Sequence, residues 1–146
     1  MGCSCTLFFK TYKEIVRMIA DFTKYSLALV KDGEVIFSSD KSGLRPLVEC
    51  VKKFKSGVEG CVLHDKVVGL AAARLIVYSG IVSSVVTKVC SKLAKELLDK
   101  SGIEVGAGAV VDNILNWDKS DVCPMEKKAV GMENEEFFSE MSEKFV

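Results

Sequence analysis

The chain has 146 residues, in which 20 Lys and Arg side chains balance 20 Asp and Glu side chains. This length fits a single domain over residues 1–146, with a core that needs neither disulfides nor a structural metal. Because the net charge is zero, no general attraction to nucleic acid or to an anionic membrane is built in. No apolar run is long enough to span a bilayer and no signal-peptide pattern opens the chain, so we expect a cytoplasmic protein without nucleic-acid or membrane partners.

The six cysteines are interpreted as reduced thiols and not as a disulfide framework. Cys50, Cys61 and Cys90 lie inside apolar-patterned elements, where a free thiol behaves as a small hydrophobe. Cys3 and Cys5 lie in an opening segment that formally matches a myristoylation pattern, and their two thiolates make an incomplete site for a soft metal. Chance explains that short pattern better than lipidation does, and the sequence leaves the role of these two residues open.

The first predicted elements are a helix and a β-hairpin. Thr11 and Glu14 form a capping-box pattern, and the apolar stripe after them predicts a helix from about residue 12 to residue 23. Two β-rich runs, 26–31 and 34–39, are joined by Asp32-Gly33, a pair that accepts the positive φ angles of a type I′ turn. This pair is the strongest hairpin signal in the chain.

The middle of the chain predicts alternating helices and strands. Residues 44–54 show helical spacing of apolar residues, with Pro46 in the first turn. Strands are predicted at 58–63, 81–89 and 103–105, and a helix capped by Ser91 at 92–100. This alternation predicts an α/β fold, a three-layer α/β/α sandwich with a mixed sheet of about five strands.

The stretch from residue 64 to residue 80 is interpreted as a buried central helix. Its apolar and small residues continue around the whole circumference of a helix, so that only Lys66, Arg74 and the first turn are expected to face water. Asp65 is predicted to be the N-cap, and Gly80 the left-handed residue at the C-terminal end. Gly69 and the alanines after it would let a neighbouring element approach the backbone closely.

The C-terminal region gives a weaker pattern. Residues 110–117 suggest one or two helical turns, a polar loop follows over 116–121, and Pro124 is well placed to begin a short helix. Asn134 is predicted to cap a terminal helix that carries Phe137, Phe138, Met141 and Phe145.

The polar entrance of the central helix is the first candidate site. Ligands of open α/β sheets bind at the carboxyl ends of strands, and a helix N-terminus together with Lys66 attracts an anionic group. Each residue also has a structural explanation: His64 as a hydrogen-bonded edge residue, Asp65 as a cap and Lys66 as a solvated side chain.

Cys123 is the second candidate, because polar residues precede it and a helix start follows it. The helix dipole stabilises a thiolate there, which favours a nucleophile, whereas the alternative is an N-cap position that happens to be Cys. Glu126 either caps the same turn or acts as an acid/base. Arg45 is solvated or ion-paired, or it recognises an anion through its guanidinium fork.

The order of the predicted elements resembles the cytidine-deaminase-like fold. A closer resemblance, to an uncharacterised prokaryotic domain-of-unknown-function family placed in that fold, is carried by Val30–Gly33, Gly43–Leu47, Asp65–Ala73 and Cys123–Glu126. It covers nearly the whole chain and implies the fold, but no established reaction.

The resemblance to true deaminases breaks down at their zinc site. In those enzymes a His or Cys with a nearby Glu opens one helix and a Pro-Cys-x-x-Cys segment opens the next, which together hold a catalytic zinc. No Glu stands two residues after His64, and neither Cys90 nor Cys123 is followed by a paired cysteine. We therefore expect no metal and no cofactor.

Two functional hypotheses follow. The first is a small-molecule enzyme or ligand-binding protein on a zinc-free deaminase-like scaffold, which a nucleotide-like or phosphate-bearing metabolite would suit. Its catalytic residues are Cys123 and Asp65, and its ligand-binding residues are Lys66, His64, Arg45, Gly69 and Glu126. The second is a noncatalytic binding or regulatory protein, in which the same residues cap helices and a partner surface is formed by Phe137, Phe138 and Met141. The sequence leaves ligand identity, catalysis and a homo-oligomeric state open.

Overall fold

A computed structural model describes residues 21–55, 57–116 and 118–145, and the structural statements below concern these residues. The strands are β1 (Leu27–Lys31), β2 (Glu34–Ser39), β3 (Cys61–Asp65), β4 (Val67–Val68), β5 (Val82–Ser91) and β6 (Glu104–Val111). The helices are α1 (Arg45–Phe54), α2 (Leu70–Ser79), α3 (Lys92–Lys100), α4 (Pro124–Val130) and α5 (Asn134–Lys144). Among the helices of these ranges, none has the length and apolar character needed to cross a bilayer.

Two predictions fall on the N-terminal segment. Cys3, Cys5 and nearly all of the helix predicted over 12–23 lie outside the described residues. Residues 22–24, where that helix was expected to end, form a turn.

The six strands form one mixed sheet. Its spatial order is β2-β1-β3-β5-β6, and the short β4 also pairs with β5, beyond the end of β3. β1 is antiparallel to both β2 and β3, whereas β3, β4 and β6 run parallel to β5. The predicted mixed α/β fold is confirmed, with six strands instead of about five, and the arrangement is consistent with a three-layer α/β sandwich.

Local sequence signals account for several element boundaries. Asp32 and Gly33 have φ angles of 52° and 83°, so the predicted hairpin turn with two left-handed residues is confirmed. The Ser91 side chain accepts a hydrogen bond from the Ala94 N–H at 3.2 Å, as expected of an N-cap. Gly80 ends α2 with a φ angle of 68°.

The central helix α2 contacts all four of the other helices and organises the core. It begins at Leu70, five residues later than its predicted N-cap, so the assignment of Asp65 as N-cap is wrong. The reason is tertiary pairing: Val67 and Val68 lie beside Val89 and Cys90 of β5 as a strand. Asp65 instead ends β3, and Lys66 lies between two strands instead of in the first helical turn.

The C-terminal region departs from prediction in its helices. Val111 ends β6, and Leu115 forms an isolated antiparallel bridge with Val122, so the helical turns expected over 110–117 do not form in the described part of that segment. The N-cap of α5 is Glu133, which exchanges side chain–backbone hydrogen bonds with Glu136 in a capping box. The Glu133 carboxylate therefore takes the capping role that was expected of Asn134.

Arg74 faces protein and not water, contrary to expectation. Its Nε donates to the Ala129 carbonyl at 2.6 Å, and its Nη1 donates to Asn134 Oδ1 at 3.0 Å. The guanidinium therefore ties α2 to the end of α4 and the start of α5. The local sequence could not predict this role, because the partners of Arg74 are 55 and 60 positions away in the sequence.

The aromatic partner surface predicted for α5 is also wrong. Phe137 and Met141 are 0% and 1% exposed and belong to the hydrophobic core. Phe138 stacks on Tyr78, with ring centroids 4.7 Å apart. These side chains pack the terminal helix onto α2. Burial of each fully buried Phe or Met side chain stabilises the fold by about 1.5–3 kcal/mol.

Three cysteines are buried as predicted. Cys50, Cys61 and Cys90 are buried free thiols, and burial raises the pKa of Cys50 to about 12. Such a thiol stays protonated at neutral pH and behaves as a core side chain.

Candidate functional site

A cavity of about 350 Å³ lies at the carboxyl end of β3. Its walls come from segments that are far apart in the chain: the loop before α1, the β3–β4 junction, the start of α2 and the segment around Cys123. In an open α/β sheet this is the end at which ligands bind. Candidate residues that line it are Asp65, Lys66, Gly69, Cys123 and Glu126.

Asp65 presents a carboxyl group to this cavity. Burial raises its pKa to about 8, and hydrogen bonds from the backbone N–H groups of Val67 and Lys66 oppose the rise only in part. At neutral pH the carboxyl group is therefore mostly protonated, unlike an ordinary aspartate. A group whose pKa lies close to the working pH is suited to general acid/base chemistry.

Glu126 caps the central helix from another element. Its Oε1 accepts from the Leu70 N–H at 2.7 Å and its Oε2 from the Ala71 N–H at 2.8 Å, and the side chain is buried. The carboxylate thus occupies the positive end of α2 and does not cap its own turn as predicted. These two N–H groups are not free for a phosphate, so the part of the predicted anion site that relied on them is wrong. Lys66, its other part, lines the cavity.

Gly69 makes that cap possible. It is the N-cap residue of α2, in an extended conformation that other residues also adopt. A β-carbon built at this position would overlap the carboxylate of Glu126. The absence of a side chain thus allows a close approach, as expected, but the neighbour is a single carboxylate from α4.

Cys123 is the N-cap residue of α4, a helix that Pro124 begins as predicted. Its N–H donates to the Ile114 carbonyl at 2.9 Å, and its own carbonyl accepts from the Glu126 N–H at 2.9 Å. The free thiol is half-buried and lines the cavity together with Asp65 and Lys66. The structure therefore brings together three candidate residues, although Asp65 and Lys66 are more than 50 positions from Cys123 in the sequence.

The sequence and fold of this chain are similar to those of known proteins. A family described as a domain of unknown function (DUF1893) matches residues 14–146. The chain belongs to the DUF1893 family. It is also similar to the crystal structure of a DUF1893 family protein from Thermotoga maritima, with 30% identity and a TM-score of 0.76 over 96% of this chain and 90% of that one. No curated protein matches.

The family carries no assigned function, so it leaves the chemistry of this DUF1893 chain to be argued from its residues. The predicted membership in a domain-of-unknown-function family is confirmed. The resemblance to cytidine deaminases stays a prediction.

His64 does not line the cavity of this DUF1893 chain. Neighbouring residues of a strand face opposite sides of the sheet, so Asp65 turns to the cavity and His64 away from it. His64 is fully buried, and its Nδ1 lies 3.1 Å from the Tyr25 hydroxyl. Among the residues that the structure describes, its Nε2 has no hydrogen-bond partner. Burial lowers the pKa of His64 to about 4, so the ring is neutral at physiological pH.

Arg45 also lies outside the cavity wall. It is the first residue of α1, its Nη1 is 4.0 Å from Glu49 Oε2, and its guanidinium lies 5.2 Å from the centre of the Phe145 ring. Of the two explanations given to Arg45, the ion pair agrees with these contacts. It lies beside the cavity, next to Lys41 and Ser42.

Sequence reasoning missed the loop before α1 and Ser26. Asp40, Lys41, Ser42 and Gly43 line the cavity, and the Ser26 carbonyl accepts from the Lys66 N–H at 3.0 Å. The antiparallel pairing of β1 with β3, which places Leu27 opposite Asp65, brings Ser26 to this edge. The local sequence held no signal for this, because it depends on which strands pair.

In the ranges that the structure describes, no group of three His, Cys, Asp or Glu side chains is placed to hold a metal ion. Separately, the cavity wall contains the thiol of Cys123 and the carboxyl group of Asp65.

Proposed function

We propose that this DUF1893 chain is a small-molecule enzyme whose substrate binds in the cavity at the carboxyl end of β3. Cys123 is the nucleophile and Asp65 the general acid/base. The observation that carries the proposal is the meeting, in one cavity, of a half-buried free thiol and a carboxyl group whose pKa is raised to about 8.

The proposed chemistry is addition of the thiol to an electrophilic carbon, such as a carbonyl carbon. As the S–C bond forms, the ionised fraction of Asp65 takes the thiol proton, and the π electron pair of the C=O bond moves to oxygen. Asp65 then gives the same proton to that oxygen, so atoms and charges balance within the cavity. A carboxyl group that titrates near pH 8 is present in both forms at neutral pH.

The ligand is proposed to be small and polar. A volume of about 350 Å³ lies at the low end of the range for small-molecule sites. Lys66 supplies a cation at the wall for an anionic substituent, whereas the α2 N–H groups do not, because Glu126 holds them. Of the two features that favoured a nucleotide-like or phosphate-bearing ligand, Lys66 and the N–H groups of the helix start, Lys66 is the one that can still contact it.

Thiol alkylation tests the pairing of Cys123 with Asp65. The protein is treated with iodoacetamide across a range of pH, and the modified cysteines are identified by peptide mapping. We expect Cys123 to react well ahead of Cys50, Cys61 and Cys90, which are buried. In Asp65→Asn the rate of Cys123 alkylation at neutral pH should fall, because the carboxyl group proposed to take the thiol proton is replaced by an amide that cannot take it. Equal rates in the two proteins would contradict the proposed pair.

Native mass spectrometry of the purified protein tests the cavity itself. A retained small molecule should slow iodoacetamide modification of Cys123 and should remain bound in Cys123→Ser, which keeps the volume of the side chain. Turnover of that molecule by the parent protein, and its loss in Cys123→Ser, would support the enzyme. Turnover that persists in Cys123→Ser would exclude this nucleophile, and retention without any turnover would favour a noncatalytic binding protein.

A further inference from the structure

One edge of the sheet is open and nearly without charge. β6 pairs with β5 on one side, and in the described ranges no strand pairs with its other side. The strand reads Glu-Val-Gly-Ala-Gly-Ala-Val-Val, and its residues 106 and 108–110 are exposed, Val110 by 45%. Protein edges are normally protected by Lys, Pro, bulges or a covering element, because an open edge pairs readily with another strand.

The helix beside this edge also exposes apolar residues. α3 packs on β5 and β6, and the Lys92 ammonium lies 2.7 Å from the carboxylate of Asp112, the residue that follows β6. Leu93 is 44% exposed and Leu97 is half-buried, so one stripe at i, i+4 spacing is only partly covered. Glu96 and Lys100, both exposed, lie along the same stripe.

We propose that two copies of this chain associate through the outer edge of β6 and the exposed stripe of α3. The β6 strands pair antiparallel about a two-fold axis, so the sheet continues from one copy into the other, and the two α3 helices lie antiparallel beside that axis. This interface does not depend on the proposed enzyme function.

Charge complementarity favours a second copy over an unrelated partner. When the two-fold axis passes between positions 96 and 97 of two antiparallel α3 helices, position 96 of one helix faces position 97 of the other. Glu96 of each copy then comes within one helical turn of Lys100 of the second copy, which forms two equivalent opposite-charge pairs. The open edge is self-complementary in the same way, because an antiparallel pair of identical strands satisfies both edges at once.

Sedimentation equilibrium of the full chain, in the presence of a reductant, tests the interface. We expect a monomer–dimer equilibrium with a dimer at high concentration. Val110→Lys adds a cation to the pairing edge of each copy and should raise the dimer Kd by at least about tenfold. The matched control is Val35→Lys, which makes the same change at a residue 47% exposed on β2, the opposite edge of the sheet, and should leave the Kd unchanged.

A charge exchange tests the helix pairing separately. Glu96→Lys and Lys100→Glu should each raise the Kd, and the double variant should restore it, because the opposite-charge pairs are re-formed with reversed sign. Circular dichroism confirms that each variant is folded. A monomer at every concentration, an equal effect of Val35→Lys and Val110→Lys, or failure of the double exchange to restore the Kd would overturn the proposed dimer.

Discussion

The substitution Gly69→Ala probes the contact between the central helix and Glu126. The added methyl group overlaps the carboxylate that accepts from the Leu70 and Ala71 N–H groups at 2.7 and 2.8 Å. The carboxylate must move, and two buried N–H groups then lose a charged acceptor. The backbone itself accepts alanine, because Gly69 has an extended conformation with φ −101° and ψ −174°.

The magnitude follows from two opposing effects. Loss of a hydrogen bond to a charged group costs about 1.5–3 kcal/mol and loss of an N-cap about 0.5–2 kcal/mol, so displacement of Glu126 should cost about 2–5 kcal/mol. Replacement of glycine by alanine restricts the unfolded chain and returns about 0.4–1 kcal/mol. The net loss in free energy of unfolding is therefore about 1–4.5 kcal/mol.

The double-mutant cycle with Glu126→Ala isolates the contact. Without the carboxylate, the methyl group at position 69 meets no obstacle from residue 126, so Gly69→Ala should become neutral or stabilising by about 0.4–1 kcal/mol. The free energy of unfolding is measured by urea denaturation at one fixed protein concentration. The matched control is Gly131→Ala, at an exposed glycine with φ −95° and open space around it, which should change stability by less than about 0.5 kcal/mol in either background. An equal cost of Gly69→Ala with and without Glu126 would refute the reasoning.

Three further substitutions have outcomes that the contacts determine. Burial raises the pKa of Asp65 to about 8 from 3.8, so the folded state holds a proton that the unfolded state releases, and stability falls as the pH rises from 3.8 to about 8. The urea midpoint of Asp65→Asn should lack that fall, and parallel curves for parent and variant would argue against a buried carboxyl group. Burial lowers the pKa of His64 to about 4 from 6.5, so the free energy of unfolding should fall as the pH drops through that interval. The melting temperature of His64→Leu should lose this part of its pH dependence, and an unchanged dependence would argue against a neutral buried ring. Arg74→Lys removes the fork that reaches the Ala129 carbonyl and Asn134 Oδ1 and should cost about 1–2 kcal/mol in urea denaturation, whereas no loss would mean that a single ammonium group replaces both contacts.

Features set by neighbouring residues in the sequence were predicted well. The turn at Asp32-Gly33 needs two residues that tolerate positive φ, and the Ser91 cap needs only a hydroxyl before a helical stripe. Pro124 begins α4 for an equally local reason, since its missing N–H removes no intrahelical bond. In each case the physical cause lies within one turn of the residue, so the sequence contains it.

Features set by strand pairing or by distant caps were predicted incorrectly. The periodicity of a short apolar run does not separate helix from strand, so the pattern assigns Val67 and Val68 to the central helix although they pair with β5. The cap of α2 comes from Glu126, more than 50 residues along the chain, and no local pattern announces it. The alanines and glycines of β6 likewise form a strand because β5 is beside them, against their low strand propensity.

The place of Glu126 also determines how the site can be tested. The same carboxylate forms part of the cavity wall and caps the central helix through its hydrogen bonds to the Leu70 and Ala71 N–H groups. Loss of ligand binding in a Glu126 variant would therefore combine a change in the wall with a change in helix stability. Asp65 also has a structural role, because its carboxyl group accepts hydrogen bonds from the Val67 and Lys66 N–H groups. The Cys123 side chain makes no capping hydrogen bond to α4. Substitutions at Cys123 are therefore the ones whose effects on binding and turnover can be assigned to chemistry.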